Sequence, residues 1–347
     1  PAAPSSGDQR AASRYGIWPP AGDAVSALAP DASRIVVGDR AGNVHILPAD
    51  GGPESFQVRE EVVSFLGHSG KVRLLAVSDD GARIASVAND NSIRVWDTAT
   101  GLPQSFFGDA TGSSSEQLVF SPDGSALGIL GGNQVQIMSA DDGSELAVFE
   151  LAELHQSLAF ADSDRLFIGS ENGTLSVVSR DATDNWSLQT LWQGESPIRW
   201  LEASPQARYL VFVDQENLAQ QFILTEGRLG EQSLRLPGTV EEVSFTPNGS
   251  RVLFRTARWI HRASSAESGL RWQESVFAPR AVSGSRMVFG DASSNQAAAL
   301  GNRVFLPVSS DGYVRAEAVG FDGNPGSALF GNKDELLNEW RSRLGIN

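Results

Sequence analysis

Short apolar runs of three to five residues alternate with turn residues along most of the chain, and no apolar periodicity of 3.6 is sustained before the last twenty residues. The runs recur around one string. Ala29-Pro30-Asp31-Ala32-Ser33-Arg34-Ile35 returns as Ser78-Asp79-Asp80-Gly81-Ala82-Arg83-Ile84 and as Ser121-Pro122-Asp123-Gly124-Ser125-Ala126-Leu127. It returns again as Ser204-Pro205-Gln206-Ala207-Arg208-Tyr209-Leu210 and Thr246-Pro247-Asn248-Gly249-Ser250-Arg251-Val252, with a weaker copy at 161–166. The copies start at 29, 78, 121, 161, 204 and 246. Each reads as a tight turn between two strands, for example Val243-Ser244-Phe245 before it and residues 165–168 after it. A second turn (Ala41-Gly42-Asn43; Glu171-Asn172-Gly173), an alternating third strand and a short fourth strand such as Ser105-Phe106-Phe107 complete the unit. Four short strands per roughly 42 residues predict a β-propeller blade.

Six copies account for residues 24 to about 277, and a seventh, irregular unit fits in 278–320. The expected domain is therefore a propeller over residues 13–320, with blades starting near 24, 72, 115, 155, 198, 240 and 280. Seven blades fit best, and six or eight stay open. Residues 13–18 are expected to supply a closing strand that removes an unpaired sheet edge. Residues 1–12 read as a polar leader. In 326–347, Asn332 and Glu335 form a capping-box pattern ahead of Leu336, Leu337, Trp340 and Leu344, which predicts a short C-terminal helix.

One copy carries more than the turn. Gly67-His68 and Trp96-Asp97 bracket a stretch that also holds Ser86 and Asp90. This stretch resembles a WD40 repeat, and the four-strand periodicity extends the resemblance, in degenerate form, over most of the chain. The resemblance implies an all-β, seven-bladed propeller. It also implies a hydrogen-bonded set in which Asp90 accepts from His68, His68 meets Ser86, and Ser86 meets the Trp96 indole. His68, Ser86 and Asp90 are also the residue types of a hydrolytic triad, but a serine buried in a blade cannot reach a substrate. The other blades lack the full set and are expected to hold by apolar packing alone.

Composition narrows the function. The net charge of −15 and pI near 4.7 oppose binding to nucleic acid or to anionic lipid. The absence of cysteine excludes disulfides, thiolate zinc sites and a cysteine nucleophile. No apolar run reaches the ~18–20 residues of a membrane span. The chain begins at Pro1 on a polar stretch, so the sequence reads as a piece whose flanks would hold an anchor, a signal or a further domain.

No phosphate-binding loop, dinucleotide glycine motif or nucleophile elbow occurs, and His45, His155 and His261 lack metal-ligand spacing. No cofactor or metal is expected, and Asp-rich pieces such as Asp141-Asp142-Gly143 read as turns. The residues five positions before each turn are expected at the rim of the channel where inner strands begin: Ala24, Arg73, Glu116, Gln156, Arg199 and Glu241. This mixed-charge ring points to a protein or peptide partner. The expected function is a non-catalytic interaction, scaffold or sensing domain of a larger bacterial protein. One setting is an extracytoplasmic domain attached to a membrane transporter or signalling protein. The others are the sensing half of a cytoplasmic signalling ATPase or protease, or a propeller enzyme or small-ligand binder that uses the channel.

Overall fold

The computed structural model describes residues 25–28, 34–50, 57–58, 63–108, 115–246, 248–256, 259–277, 288–289, 303–310 and 313–320. The expected leader, the closing strand at 13–18 and the C-terminal helix lie outside them. Among the described residues there is no helix, and the strands build antiparallel sheets in chain order.

The first sheet begins at Val25–Leu28, the second at Val72–Val77, the third at Ser115–Phe120 and the fourth at His155–Asp162. The fifth begins at Ile198–Ala203 and the sixth at Val240–Phe245. Each initial strand pairs with the next strand in sequence, so every sheet is an up-and-down meander. A further sheet pairs Val288–Phe289, Arg303–Ser310 and Tyr313–Gly320, and Arg303–Ser310 runs beside Val25–Leu28. The first and fifth sheets depart from four strands. Their outer edge is split into two short pieces that share one neighbour, Gln57–Val58 with Val63–Leu66 and Arg228–Leu229 with Leu234–Arg235. In the fifth sheet the break follows Gly230, where a Cβ would stand 2.7 Å from Gly269 Cα of the sixth sheet.

The repeated string shows why these residues turn. Ser78 Oγ donates to Asp80 Oδ1 at 2.6 Å and accepts from the Arg83 N–H at 2.9 Å. Ser121 does the same with Asp123 and Ala126, and Thr246 with Asn248 and Arg251. One hydroxyl thus closes both ends of each turn. The turn passes through the left-handed region at Gly81, Gly124 and Gly249, with φ of 69°, 70° and 66°. Ala207 holds the same place in the fifth sheet at φ 51°, where a Cβ is disfavoured.

The core is a series of interfaces between neighbouring sheets. Val87, Ile93 and Val95 of the second sheet pack on Leu127 and Ile129 of the third. Leu130, Val135 and Ile137 of the third meet Leu166 and Ile168 of the fourth. Phe167 of the fourth meets Phe212 of the fifth, and Val213 of the fifth meets Phe254 of the sixth. In the second to sixth sheets the second strand is therefore largely buried on both faces, as in Ala126–Gly131, where every residue is buried. The outer strands are only half covered, as in Glu145–Glu150. Such stacking makes stability a sum of sheet terms and nearest-neighbour terms.

Candidate docking face

His68 sits in the loop that enters the second sheet, and its ring is buried. Ser86 comes from the second strand, Arg83–Ala88, and Trp96 from the third, Ser92–Asp97. His68 Nε2 lies 2.8 Å from Ser86 Oγ, and the Trp96 indole N–H donates to the same oxygen at 2.9 Å. The Asp90 carboxylate facing Nδ1 can only accept, and Ser92 donates its own proton to Asp90, so Nε2 must accept the Ser86 proton. That leaves the proton of the neutral ring on Nδ1. Nδ1 faces Ser92 Oγ at 2.9 Å and the Asp90 carboxylate at 3.2 and 3.3 Å.

Ser92 donates in turn to Asp90 Oδ1 at 2.8 Å, and Asp90 Oδ2 accepts the Ser69 N–H at 2.7 Å. The structure thus brings together His68, Ser86, Asp90 and Trp96 and adds Ser92. The signal for Ser92 was its place two residues after Asp90, the spacing at which an aspartate takes a downstream hydroxyl and N–H. Gly67 belongs to the motif for a steric reason, since a Cβ there would stand 2.7 Å from Trp96 Cη2. Asp97 accepts from the Thr100 N–H and hydroxyl and so starts the next turn.

Electrostatics follow from burial. Burial pushes His68 below the ordinary imidazole value, and the nearby Asp90 carboxylate only partly offsets this. Burial also acts to raise Asp90, but the bonds from Ser69 and Ser92 outweigh it and hold the carboxyl at about 2. Ser86 is 0% exposed and both sides of its oxygen are engaged, so a nucleophilic serine has no access to substrate.

The other sheets do not hold by apolar packing alone. In the first, Asp39 Oδ1 accepts the Ala41 and Asn43 N–H groups at 2.8 Å, and its Oδ2 lies 3.1 Å from His45 Nε2. In the fourth, Ser170 donates to Asn172, and Thr174 Oγ1 donates to Asn172 Oδ1 at 2.6 Å. In the sixth, His261 Nδ1 lies 2.8 Å from Ser275 Oγ. Buried strand ends need polar partners wherever water is excluded, and different residue types meet that need in each sheet.

His155 and His261 are also lowered by burial. A depressed histidine stabilises the fold fully above the unfolded value near 6.5, and its contribution declines as pH falls towards the folded value. The midpoint of thermal unfolding is therefore expected to drop between pH 7.5 and pH 5. A second fall below about pH 4 should follow as Asp90 and Asp123, both held at about 2, take up protons. A midpoint unchanged from pH 7.5 to 5 would contradict the neutral, buried rings.

The five rim residues within the described range share a backbone feature. Arg73, Glu116, Gln156, Arg199 and Glu241 are each the second residue of an initial strand. In every case the register skips at that residue: Val72 pairs Ala88 and Leu74 pairs Val87, Ser115 and Gln117 pair Gly131 and Leu130, and the same step brackets Gln156, Arg199 and Glu241. Each is the extra residue of a β-bulge, left out of the ladder and re-aimed. All five lie at the same end of their sheets.

Arg199 is exposed, while Arg73 and Gln156 are half-buried. Gln156 Nε2 donates to Glu171 Oε1 at 2.5 Å. Glu241 accepts from Arg255 Nη1 at 2.7 Å, and Glu242 accepts from Arg255 Nε at 3.0 Å. Arg255 is 0% exposed, an ion-pair centre that the sequence reading did not single out. Ala24 lies outside the described residues.

No group of three histidine, aspartate or glutamate side chains among the described residues could hold a metal, and no described helix is long and apolar enough to cross a membrane.

Known proteins resemble the chain in sequence and in fold. Residues 59–97 match the WD40 family (WD domain, G-beta repeat). The APC/C activator protein CDC20 of Saccharomyces cerevisiae is 35% identical over 71 residues, which cover 20% of this chain and 10% of that protein. The WD repeat-containing protein SL1-17 of Schistosoma mansoni is 28% identical over 180 residues, covering 49% of this chain and 56% of that protein. The chain thus spans a tenth and just over half of these curated relatives. The β-propeller domain of Cps50 (Swd1) from Myceliophteria thermophila superposes with a TM-score of 0.60 at 14% identity, covering 85% of this chain and 96% of that domain. The fold is an all-β propeller, and the repeat match together with these relatives supports the WD40 β-propeller family. Propellers of this family generally mediate protein–protein interaction or scaffolding and are generally non-catalytic.

Proposed function

We propose that the chain is a non-catalytic docking propeller that recognises a protein or peptide through the face carrying Arg73, Glu116, Gln156, Arg199 and Glu241. The observation that carries this reading is the bulge repeated at the start of five initial strands. A bulge residue makes no ladder contribution, so five aligned bulges have a use in presenting side chains. The ring holds two cations, two carboxylates and an amide, and this asymmetry suits one oriented partner better than a symmetric ion. The His68 set supports the face by fixing the loop that delivers Val72 and Arg73.

Photo-crosslinking residues placed at Arg73 and Arg199 should capture partners that the same residues at Leu146 and Leu188, on outer strands, do not. Arg199→Glu should leave the thermal midpoint within about 2 °C, because an exposed charge contributes little to stability, and Arg73→Glu, at a half-buried arginine, should lower it somewhat more. The same pair should weaken binding of the captured partner about ten-fold or more. Unchanged binding would move the site off this face.

For the wider setting we infer a domain of a larger bacterial protein. The absence of cysteine supports an extracytoplasmic domain attached to a membrane transporter or signalling protein ahead of a cytoplasmic signalling ATPase or protease, while the acidic charge suits both. Fractionation of the native protein separates these settings. Recovery with the membrane and protease access from outside supports the first, and a soluble cytoplasmic parent rejects it.

A further inference from the structure

In three sheets the residue that follows the bulge reaches into the next sheet. Gln117 follows Glu116 in the third sheet, Ser157 follows Gln156 in the fourth, and Trp200 follows Arg199 in the fifth. The initial strands of these successive sheets lie side by side, so the three side chains meet the neighbouring backbone. Gln117 Nε2 donates to the Gln156 carbonyl at 2.5 Å, and Gln117 Oε1 accepts the Leu158 N–H at 2.8 Å. Ser157 Oγ donates to the Ile198 carbonyl at 3.3 Å. The Trp200 indole N–H donates to the Val240 carbonyl at 2.9 Å.

The acceptors share a place as well. Ile198 and Val240 stand immediately before the bulge residues Arg199 and Glu241, and Gln156 is itself a bulge residue. Each accepting oxygen thus belongs to one of the two peptide units that flank a bulge residue. A peptide unit is planar, so holding its oxygen fixes one backbone side of that residue. The ladder gives less support there, because it is interrupted at a bulge. Ser157 is 2% exposed and Gln117 and Trp200 are half-buried, which strengthens the bonds they make. An amide, a hydroxyl and an indole differ in size and shape and share a donor. An apolar residue also fits this position: Leu74 holds it in the second sheet and packs into the core between the second and third sheets. Packing therefore does not explain the three donors. Glu242 holds the position in the sixth sheet and accepts from Arg255 of its own sheet.

We propose that Gln117, Ser157 and Trp200 are positioning residues, each setting the bulge of the following sheet, so that Gln156, Arg199 and Glu241 form one arc of fixed geometry. The support runs in one direction, from the third sheet to the sixth. Arg73 is placed differently, by the loop that the His68 set fixes. A partner is then read most sharply by this arc, which offers an amide, a guanidinium and a carboxylate in chain order. That use of the arc rests on the docking reading above; the support of the bulges does not.

The support is tested on the full chain without a partner. Amide hydrogen exchange resolved by NMR reads the backbone. Gln117→Met keeps the side-chain length and loses both bonds, and the Leu158 amide should then exchange about ten-fold faster. Ser157→Ala should speed exchange about three-fold or more at Arg199, whose N–H shares a peptide unit with the Ile198 carbonyl, and leave the Gln117 amide of the preceding sheet at its rate. Trp200→Phe keeps an aromatic ring, loses the N–H, and should act in the same way on Glu241 while sparing Gln156. The chain has no cysteine, so a nitroxide on Arg199→Cys labels one place. Ser157→Ala should shorten the correlation time of that label about two-fold, and the same label on Leu188→Cys, on the outer strand of Ser157's own sheet, should not respond. Unchanged exchange at Leu158, Arg199 and Glu241 would overturn the proposal. Equal acceleration in the preceding and following sheets would also overturn it, by showing a general loss of stability.

A partner captured at Arg199 should bind the Ser157→Ala protein at least about three-fold more weakly, since a looser bulge is less preorganised. Equal binding by a partner that depends on Arg199 would overturn the arc and leave the docking face standing. Partner capture that ignores Arg73→Glu with Arg199→Glu would sink the docking face, and the exchange and label results would still decide the support of the bulges.

Discussion

Trp96→Ala is expected to destabilise the protein by about 3–5 kcal/mol, the usual cost of emptying a buried aromatic site. The indole is 1% exposed and packs with Val36, Val44, Ile46 and Ile84 between the first and second sheets. Its neighbours cannot collapse into the space. Gly67 has no side chain, and Arg94 already lies over the ring with its guanidinium 5.9 Å from the centroid. Trp96→Phe removes less: most of the volume stays and only the N–H to Ser86 is lost, at about 0.5–1.5 kcal/mol. Chemical denaturation checks both values. Because each sheet contacts only its neighbours, hydrogen exchange in Trp96→Ala should accelerate in the first two sheets before the fifth and sixth. Equal losses for the two variants would mean that the hydrogen bond, not the packing, dominates the site.

The second large effect is expected at Arg255. Its guanidinium is fully buried and bonds to Glu241 and Glu242. Arg255→Met should cost about 3–5 kcal/mol, because Glu242, itself buried, is left without this guanidinium. Arg255→Met combined with Glu242→Leu should recover most of the loss, since a well-packed apolar pair can match a buried ion pair. The four proteins form a double-mutant cycle, and denaturation midpoints read the coupling. Additive losses would show that Arg255 and Glu242 do not act together. Loss of Arg255 should also release Glu241 from this ion pair and alter the charge at the docking face.

Local chemistry was legible in the sequence where a residue's role is set within a few positions. Ser78, Ser121 and Thr246 announce their turns because one hydroxyl closes a loop of five residues. His68, Ser86, Asp90 and Trp96 were legible through a motif whose members meet in one sheet. Arg255 was not, because after the continuous apolar run Val252-Leu253-Phe254 it reads as an ordinary charge at a strand end, and only the pairing of Glu242 with Arg255 makes it a buried centre. The expectation of purely apolar packing in the remaining sheets failed for a related reason. Asp39–His45 and His261–Ser275 meet the same burial requirement with residues that no single pattern unites. The rim positions could be counted from the turns, but the bulges that re-aim them depend on strand pairing. The split outer edges of the first and fifth sheets likewise reflect tertiary crowding, as at Gly230 and Gly269.

The aligned bulges have an evolutionary consequence. A residue left out of the ladder answers to neither its cross-strand neighbour nor the hydrophobic register, so the sheet itself leaves its identity open. Arginine, glutamate and glutamine already occupy equivalent places on one backbone. The five positions behave as letters on a fixed frame, with Gln156 and Glu241, bonded to Glu171 and Arg255, more constrained than the exposed Arg199. A new specificity can therefore arise by substitution at these letters alone, while mutational drift in the interfaces between sheets stays under separate selection.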